Sequence, residues 1–251
     1  MKPSTIPISA QDSTVAPAFD EVGLHYDRLT GMSPGYAGQL LSSARLLTGA
    51  LSRRPGPGEE PLQVADLGCG SGASTRALLT ALTESGCRFR IEGVDGSAGM
   101  LEAARAKDWP ESVTFSRTLA EELPDEGPRY DAILAAYLLR NVPDRDAFLR
   151  HAWQSLRPGG VLVVHDYGVA GRPLDAAAWT ALSWGVIIPS AAIVTRRRPS
   201  LFTYLWRSVL EFDSDEQLQD RLTRAGFEDV GLRPVPGWQR GMVRAVWGRR
   251  P

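Results

Sequence analysis

Apolar residues along this chain fall by turns into short continuous runs and into spacings of three and four. The alternation predicts interleaved strands and helices. LQVADL (62–67) reads as a strand and is followed by a glycine loop; Leu78, Leu79 and Leu82 then mark one face of a helix. FRIEGVD (89–95) reads as the next strand, Ser97 as the N-cap of another helix, and YDAILAA (130–136) as a further strand. Asp144 caps a helix with Phe148, Ala152, Trp153 and Leu156 on one face, and RPGG (157–160) ends it before the strand VLVVHDY (161–167). Upstream, Leu40, Leu41, Ala44, Leu47 and Leu51 recur at helical spacing within a helical region over 19–51, which RRPGPGEEP (53–61) interrupts. Downstream, DEQLQDRLTRAGF (215–227) predicts a helix, and EDVGLRP (228–234) and GMVRAVWG (241–248) predict two late strands.

Strands alternating with helices over short links mean a parallel α/β sheet, doubly wound and covered by helices on both faces. Ligands of such sheets bind at the carboxyl ends of the strands. The pattern divides the chain into an aperiodic Ser/Thr/Pro-rich start (1–18), an N-terminal helical flap (19–60), the α/β core (61–168), an aromatic helical insertion (169–213) and a closing helix with two strands (214–251). The insertion carries Trp179, Trp184, Phe202, Tyr204 and Trp206.

Composition narrows this picture. The 251 residues are 43% hydrophobic, enough to offset the entropy of ordering a chain of this length. Lys and Arg number 28 against 29 Asp and Glu, and a net charge of -1 argues against nucleic acid as a partner. No apolar stretch has the length of a spanning helix, and the start lacks a basic-then-apolar secretion signal, so the chain is read as cytoplasmic. Cys69 and Cys87 have no disulfide or zinc spacing, and no metal site is expected.

The strongest local signal is Asp66-Leu-Gly-Cys-Gly-Ser-Gly72 between a strand and a helix. Its glycines allow positive φ and a close approach of backbone to ligand. Gly68, Gly70 and Ala73 also satisfy a loose dinucleotide fingerprint, so the motif alone leaves the cofactor open. Asp66 ends the strand before the loop, where a pyrophosphate would meet its charge unfavourably. The ammonium and sulfonium of S-adenosylmethionine would meet it favourably. Asp95 ends the second strand, where a carboxylate accepts ribose hydroxyls of either cofactor.

The order DLGCGSG, GVDGSAGML, AEELP, RYDAILAAYLLRNVPD and LRPGG resembles the class I S-adenosylmethionine-dependent methyltransferases. Within them, FDEVGLHYDRLTGMSPG, YLLRNVPDRDAFL and TYLWRSVLEFDSDEQLQDRLTRAGFEDV are similar to the ubiquinone/menaquinone C-methyltransferases of the UbiE type. The resemblance implies a Rossmann-like, mostly parallel seven-stranded sheet with S-adenosyl-L-methionine as cofactor. It places Asp66, Gly68, Gly70 and Gly72 on the methionine-binding loop, Asp95 on the ribose, Gly96 and Met100 against the adenine, and Tyr26 in a flap over the cofactor. Where the family usually has an aspartate for the adenine amino group this chain has Leu119, so adenine readout falls to Leu119, Ala120 and backbone groups.

Transfer to a phenol ring carbon needs a base or a fixed cation beside the ring oxygen. Arg140, at the exit of the fourth strand, suits the cation, and the resemblance points to it and Asn141 as acceptor-activating residues. Strand alternation puts His165 and Asp166 on opposite sides, so only one of them faces the cleft; Asp166 aligns with an acid of the family and is the candidate base. The apolar run WGVIIPSAAIV (184–194), followed by Arg196, Arg197 and Arg198, reads either as a greasy lid with peripheral contact to anionic lipid on the inner face of the membrane, or as a core helix and a solvated loop. The expected acceptor is a hydrophobic small molecule, a prenylated quinol such as demethylmenaquinol. Another aromatic or polyketide-like acceptor and a non-catalytic cofactor-binding role are the alternatives. Oligomeric state is not legible in the sequence.

Overall fold

The computed structural model describes residues 35–56, 58–122, 127–190, 200–237 and 241–251. The proposed flap residue Tyr26 and the arginines 196–198 lie outside them. Seven strands form one sheet: β1 (Leu62–Leu67), β2 (Phe89–Asp95), β3 (Val113–Arg117), β4 (Tyr130–Ala136), β5 (Leu156–Tyr167), β6 (Glu228–Pro234) and β7 (Val243–Arg249). Their order is β3-β2-β1-β4-β5-β7-β6, with β7 antiparallel to both β5 and β6 and the other pairs parallel. The chain starts at the centre of the sheet and reverses direction beside β1, which puts the switch point between β1 and β4.

Among the described residues the α-helices are α1 (Tyr36–Ala50), α2 (Ala73–Ser85), α3 (Ala98–Arg105), α4 (Arg145–Ser155), α5 (Pro173–Leu182), α6 (Ser200–Leu210) and α7 (Asp215–Arg224). One face of the sheet packs against Leu40, Ala44 and Leu47 of α1 and Leu78, Ala81 and Leu82 of α2. The other packs against Phe148, Leu149 and Ala152 of α4 and Leu218 and Leu222 of α7. Every residue of β4 is buried, as a strand covered on both faces requires. The predicted caps form at Ser97, which accepts from the Met100 N–H, and at Asp144, which accepts from the Ala147 N–H; Ser214 and Gln217 add a reciprocal capping box at α7 that the sequence reading did not include.

Two elements differ from the sequence reading. VTFSR (113–117) is a strand that the pattern did not reveal, because only Val113 is buried there and Phe115 is half-covered at the sheet edge. RPGG does not separate helix from strand: β5 begins at Leu156, which pairs with Tyr130, and the register shifts before Ala132 pairs with Val161. Gly159, at φ 78°, accommodates that irregularity.

Candidate active site

The glycine loop is folded onto the tip of β2: the Gly68 and Cys69 N–H groups both donate to the Val94 carbonyl, at 2.8 and 3.1 Å. Gly68, Gly70 and Gly72 all have positive φ. At Gly72, φ is 91°, and a Cβ there would lie 2.8 Å from Trp109 Cζ2, so only glycine fits. A Cβ on Gly70 would meet nothing within 4 Å, which leaves that stretch of backbone open to a ligand.

Asp66 is fully buried at the end of β1. Its Oδ2 accepts from the Ser74 and Thr75 hydroxyls at 2.8 and 2.6 Å, whereas Oδ1 has no hydrogen-bond partner among the described residues. Burial pushes its carboxyl up to about 7, the two hydroxyls pull it down, and the negative Asp95 pushes it further up. Such a group gains from a cation placed beside Oδ1. Asp95, half-buried at the tip of β2, accepts from the Gly70 N–H through Oδ2 and the Ser97 N–H through Oδ1, both at 2.8 Å. A carboxylate oxygen can accept more than one hydrogen bond, so a carboxylate at a strand tip suits a diol. Met100 is buried on α3, and Gly96 accepts from Arg117 Nε at 3.3 Å. The Thr118 N–H donates to the Asp95 carbonyl at 3.2 Å, which sets half-buried Leu119 and buried Ala120 beside the same strand tip. A buried lone carboxylate oxygen, an open glycine backbone and a second carboxylate at the neighbouring strand tip fit a ligand with a cationic end and a ribose.

At the exits of β4 and β5, Arg140 and Asp166 form a buried ion pair with Nη1 to Oδ1 at 2.5 Å. The Tyr167 N–H also donates to Oδ1 at 2.9 Å, and the Arg140 N–H to Oδ2 at 3.4 Å. Arg140 is therefore not a lone cation; its charge is matched by the residue expected to be the base. The guanidinium carbon sits 5.4 Å from the centre of the Tyr137 ring and 5.6 Å from that of Tyr167. Tyr137 is a non-glycine residue at φ 56°, a conformation costing about 1–3 kcal/mol that marks functional positions more often than others. Its N–H donates to the His165 carbonyl at 2.6 Å, its ring stacks on Tyr36 at 5.7 Å, and its carbonyl accepts from Asn141 Nδ2 at 3.1 Å. The Tyr204 hydroxyl donates to Asn141 Oδ1 at 3.2 Å, so α6 of the insertion reaches the strand-four exit. Tyr167 packs on Trp179 of α5 with centroids 4.7 Å apart. The sequence marks Tyr204 only as one aromatic of the insertion and gives no signal for Tyr137 or Tyr167, since a lone aromatic at a strand end has no periodicity.

His165 and Asp166 do face opposite sides. His165 is fully buried beneath α1, with Nδ1 2.7 Å from Ser43 Oγ and no hydrogen-bond partner at Nε2 among the described residues. Burial, and then the positive Arg140, lower its pKa to about 3, so it stays neutral and supports the Tyr137 ring edge-on at 4.7 Å. The unfolded imidazole takes up a proton below about 6.5 and the native one does not. Its contribution to stability is therefore present at neutral pH and lost as pH falls from about 6.5 toward 3, by about 2–3 kcal/mol at pH 4.5. His165→Gln is expected to be less stable at pH 7 and to have a flatter stability profile between pH 6.5 and 4.5; denaturant titrations giving parallel profiles for the two proteins refute the assignment.

The described residues contain no group of three or more His, Cys, Asp or Glu that could hold a metal ion. They also contain no helix long and apolar enough to cross a membrane.

The sheet order and the glycine loop set between two strand-tip acids are those of a Rossmann-like methyltransferase. The fold is similar to that of a solved S-adenosylmethionine-dependent methyltransferase from Thermotoga maritima, with a TM-score of 0.61 and 18% identity over 94% of this chain and 100% of that one. The model of the ubiE/COQ5 methyltransferase family matches residues 8–243, and the chain belongs to that family. It is a methyltransferase whose cofactor is S-adenosyl-L-methionine. Among its relatives are a demethylmenaquinone methyltransferase of Corynebacterium kroppenstedtii, 30% identical and covering 89% of this chain and 90% of that protein, and a ubiquinone/menaquinone biosynthesis C-methyltransferase of Pseudomonas paraeruginosa, 27% identical and covering 98% and 92%.

Proposed function

We propose that this enzyme methylates a ring carbon of a hydrophobic hydroxyaromatic acceptor, a prenylated quinol of the demethylmenaquinol type. The observation that carries the proposal is the buried Arg140–Asp166 pair at the exits of β4 and β5, walled by the Tyr137 and Tyr167 rings. A ring carbon of a phenol is a poor nucleophile until its oxygen gives up negative charge to the ring. A neutral acid–base unit suits that step better than a bare cation: Asp166 takes the hydroxyl proton while Arg140 donates hydrogen bonds to the oxygen that loses it. After methyl transfer the proton on the methylated ring carbon leaves to solvent, and Asp166 returns its proton to the ring oxygen of the product, so one proton is released per turnover. Tyr137 and Tyr167 stack on the planar acceptor and exclude water, and Asn141 and Tyr204 tie the insertion to this wall.

When bound, S-adenosylmethionine supplies an electrophilic methyl carbon on a positively charged sulfur. Asp66 would receive its ammonium, Gly68, Gly70 and Gly72 its methionine chain, Asp95 its ribose, and Gly96, Met100, Leu119 and Ala120 its adenine. Leu138, whose side chain lies against Gly68, joins the cofactor loop to the Arg140 turn and sets the spacing between donor and acceptor.

A greasy acceptor has to be collected from lipid, and exposed Leu174, Trp184 and Val186 on the insertion support transient contact with a membrane surface. The test is incubation of the enzyme with isotope-labelled cofactor and a panel of prenylated quinols and unprenylated phenols presented in anionic vesicles, read by mass spectrometry. Carbon methylation of a quinol with preference for the prenylated form is expected. Methylation of other aromatic or polyketide-like acceptors with no quinol product overturns the proposal.

A further inference from the structure

The glycine loop and the helix that backs the adenosine are separate pieces of chain, and one short loop after α3 touches both. Lys107 Nζ donates to the Ser71 carbonyl at 2.7 Å, inside the glycine loop. Two residues on, the Trp109 ring fills the space in front of Gly72 that a side chain there would need. Trp109 is itself held: its Nε1 donates to the Ala104 carbonyl of α3 at 2.7 Å, the Arg76 guanidinium of α2 covers one ring face at 4.0 Å, and Phe115 of β3 packs against it with centroids 5.3 Å apart. Arg76 Nη2 also donates to the Asp108 carbonyl at 2.7 Å. The contacts therefore run without a break from the backbone of Ser71 and Gly72 to α3, whose first turn carries Met100 and follows the Asp95–Ser97 hydrogen bond.

We propose that Lys107 and Trp109 are positioning residues that brace the methionine half of the cofactor site against the adenosine half. The inference rests on the cofactor placement proposed above. A ligand that spans two subsites gains from both only when their spacing is held, because each end then meets the second subsite at high effective concentration. A fragment that occupies one subsite draws nothing from the brace. This separates a brace from a merely structural loop: loosening the loop should weaken the whole molecule and spare the fragment. The ammonium of Lys107 makes its hydrogen bond to the Ser71 carbonyl charge-assisted, stronger than a neutral one, which fixes that carbonyl.

The experiment is calorimetry of the full chain with S-adenosylhomocysteine and with adenosine alone, alongside thermal melts. In Lys107→Met and in Trp109→Phe, which keeps a ring before Gly72 but removes the Nε1 donor, the Kd of S-adenosylhomocysteine should rise about fivefold to tenfold, while that of adenosine changes by less than about twofold. Lys107→Arg should restore most of the affinity. Unchanged S-adenosylhomocysteine binding in both variants overturns the brace. Equal weakening of adenosine and S-adenosylhomocysteine also overturns it, in favour of general loosening of the fold. Asp95→Ala is the control: if it leaves adenosine binding intact, the cofactor placement fails, an outcome distinct from failure of the brace in an enzyme whose Asp95→Ala form has lost adenosine.

Discussion

Asp166→Asn and Arg140→Met are each expected to lower turnover at least about 100-fold and to destabilise the fold by about 3–5 kcal/mol, whereas the double variant Arg140→Met/Asp166→Leu should regain most of the stability and none of the activity. The reason is burial. The two side chains are 5% and 1% exposed, and removal of one partner strands the other charge without solvent. Removal of both leaves an apolar site of similar volume, which buried-pair replacements tolerate well. The double variant therefore separates a catalytic requirement from a folding one. Kinetics with saturating acceptor, paired with denaturant unfolding, check it: a stable double variant that retains turnover would eliminate the pair from the mechanism, and cofactor binding should be nearly unchanged throughout.

Asp66→Asn should weaken S-adenosylmethionine by about 10-fold to 100-fold and should also abolish proton release on binding. With its carboxyl pushed up to about 7 by burial, Asp66 is largely protonated at pH 6.5 in the free enzyme. A cation beside Oδ1 favours the ionised form, so binding near pH 6.5 should expel roughly half to one proton. The sign for stability is the reverse of that for His165. The raised carboxyl pKa favours the native state most at low pH, and that advantage fades as pH rises from about 4 through 7. Bound cofactor reverses the trend by holding Asp66 ionised. Calorimetry in buffers of different ionisation enthalpy measures the released proton directly; release that persists in Asp66→Asn would place the cation elsewhere.

Much of the fold was legible because its signals are local. The boundaries of LQVADL, FRIEGVD, YDAILAA and EDVGLRP coincide with strands β1, β2, β4 and β6, and Ser97 and Asp144 cap the helices they were expected to cap. A buried parallel strand is a run of apolar residues and a cap is a hydrogen bond across three residues, so both can be read in a short window. Strand β3 was missed for the complementary reason: at the sheet edge only one side of VTFSR has a core to face, and its alternation is too weak to stand out. The glycine loop and its flanking acids were visible as a motif, yet the unpartnered Oδ1 of Asp66 was not, since Ser74 and Thr75 take up only the other oxygen.

The acceptor side was less legible. Arg140 and Asp166 are 26 residues apart and were read as two separate roles, a cation and a base; only the parallel pairing of β4 with β5 brings them within 2.5 Å and makes them one unit. Ser43 carries no signal of its role in the sequence and meets His165 across 122 residues. Tyr137 owes its importance to a backbone conformation that no residue type announces, and Lys107 and Trp109 to a loop whose sequence, AKDWP, has no pattern.

The class is legible in short segments: hydrophobic periodicity, helix caps, the Asp66–Gly72 loop and Asp95 are local, and short segments keep their physics wherever the chain carries them. Which charges neutralise each other, which Asp66 oxygen is left without a hydrogen-bond partner, and which aromatic rings surround the Arg140–Asp166 pair are legible only in the folded chain. Those depend on burial and on distances between residues far apart in the chain, where a buried charge that is unpaired costs several kcal/mol and a paired one does not.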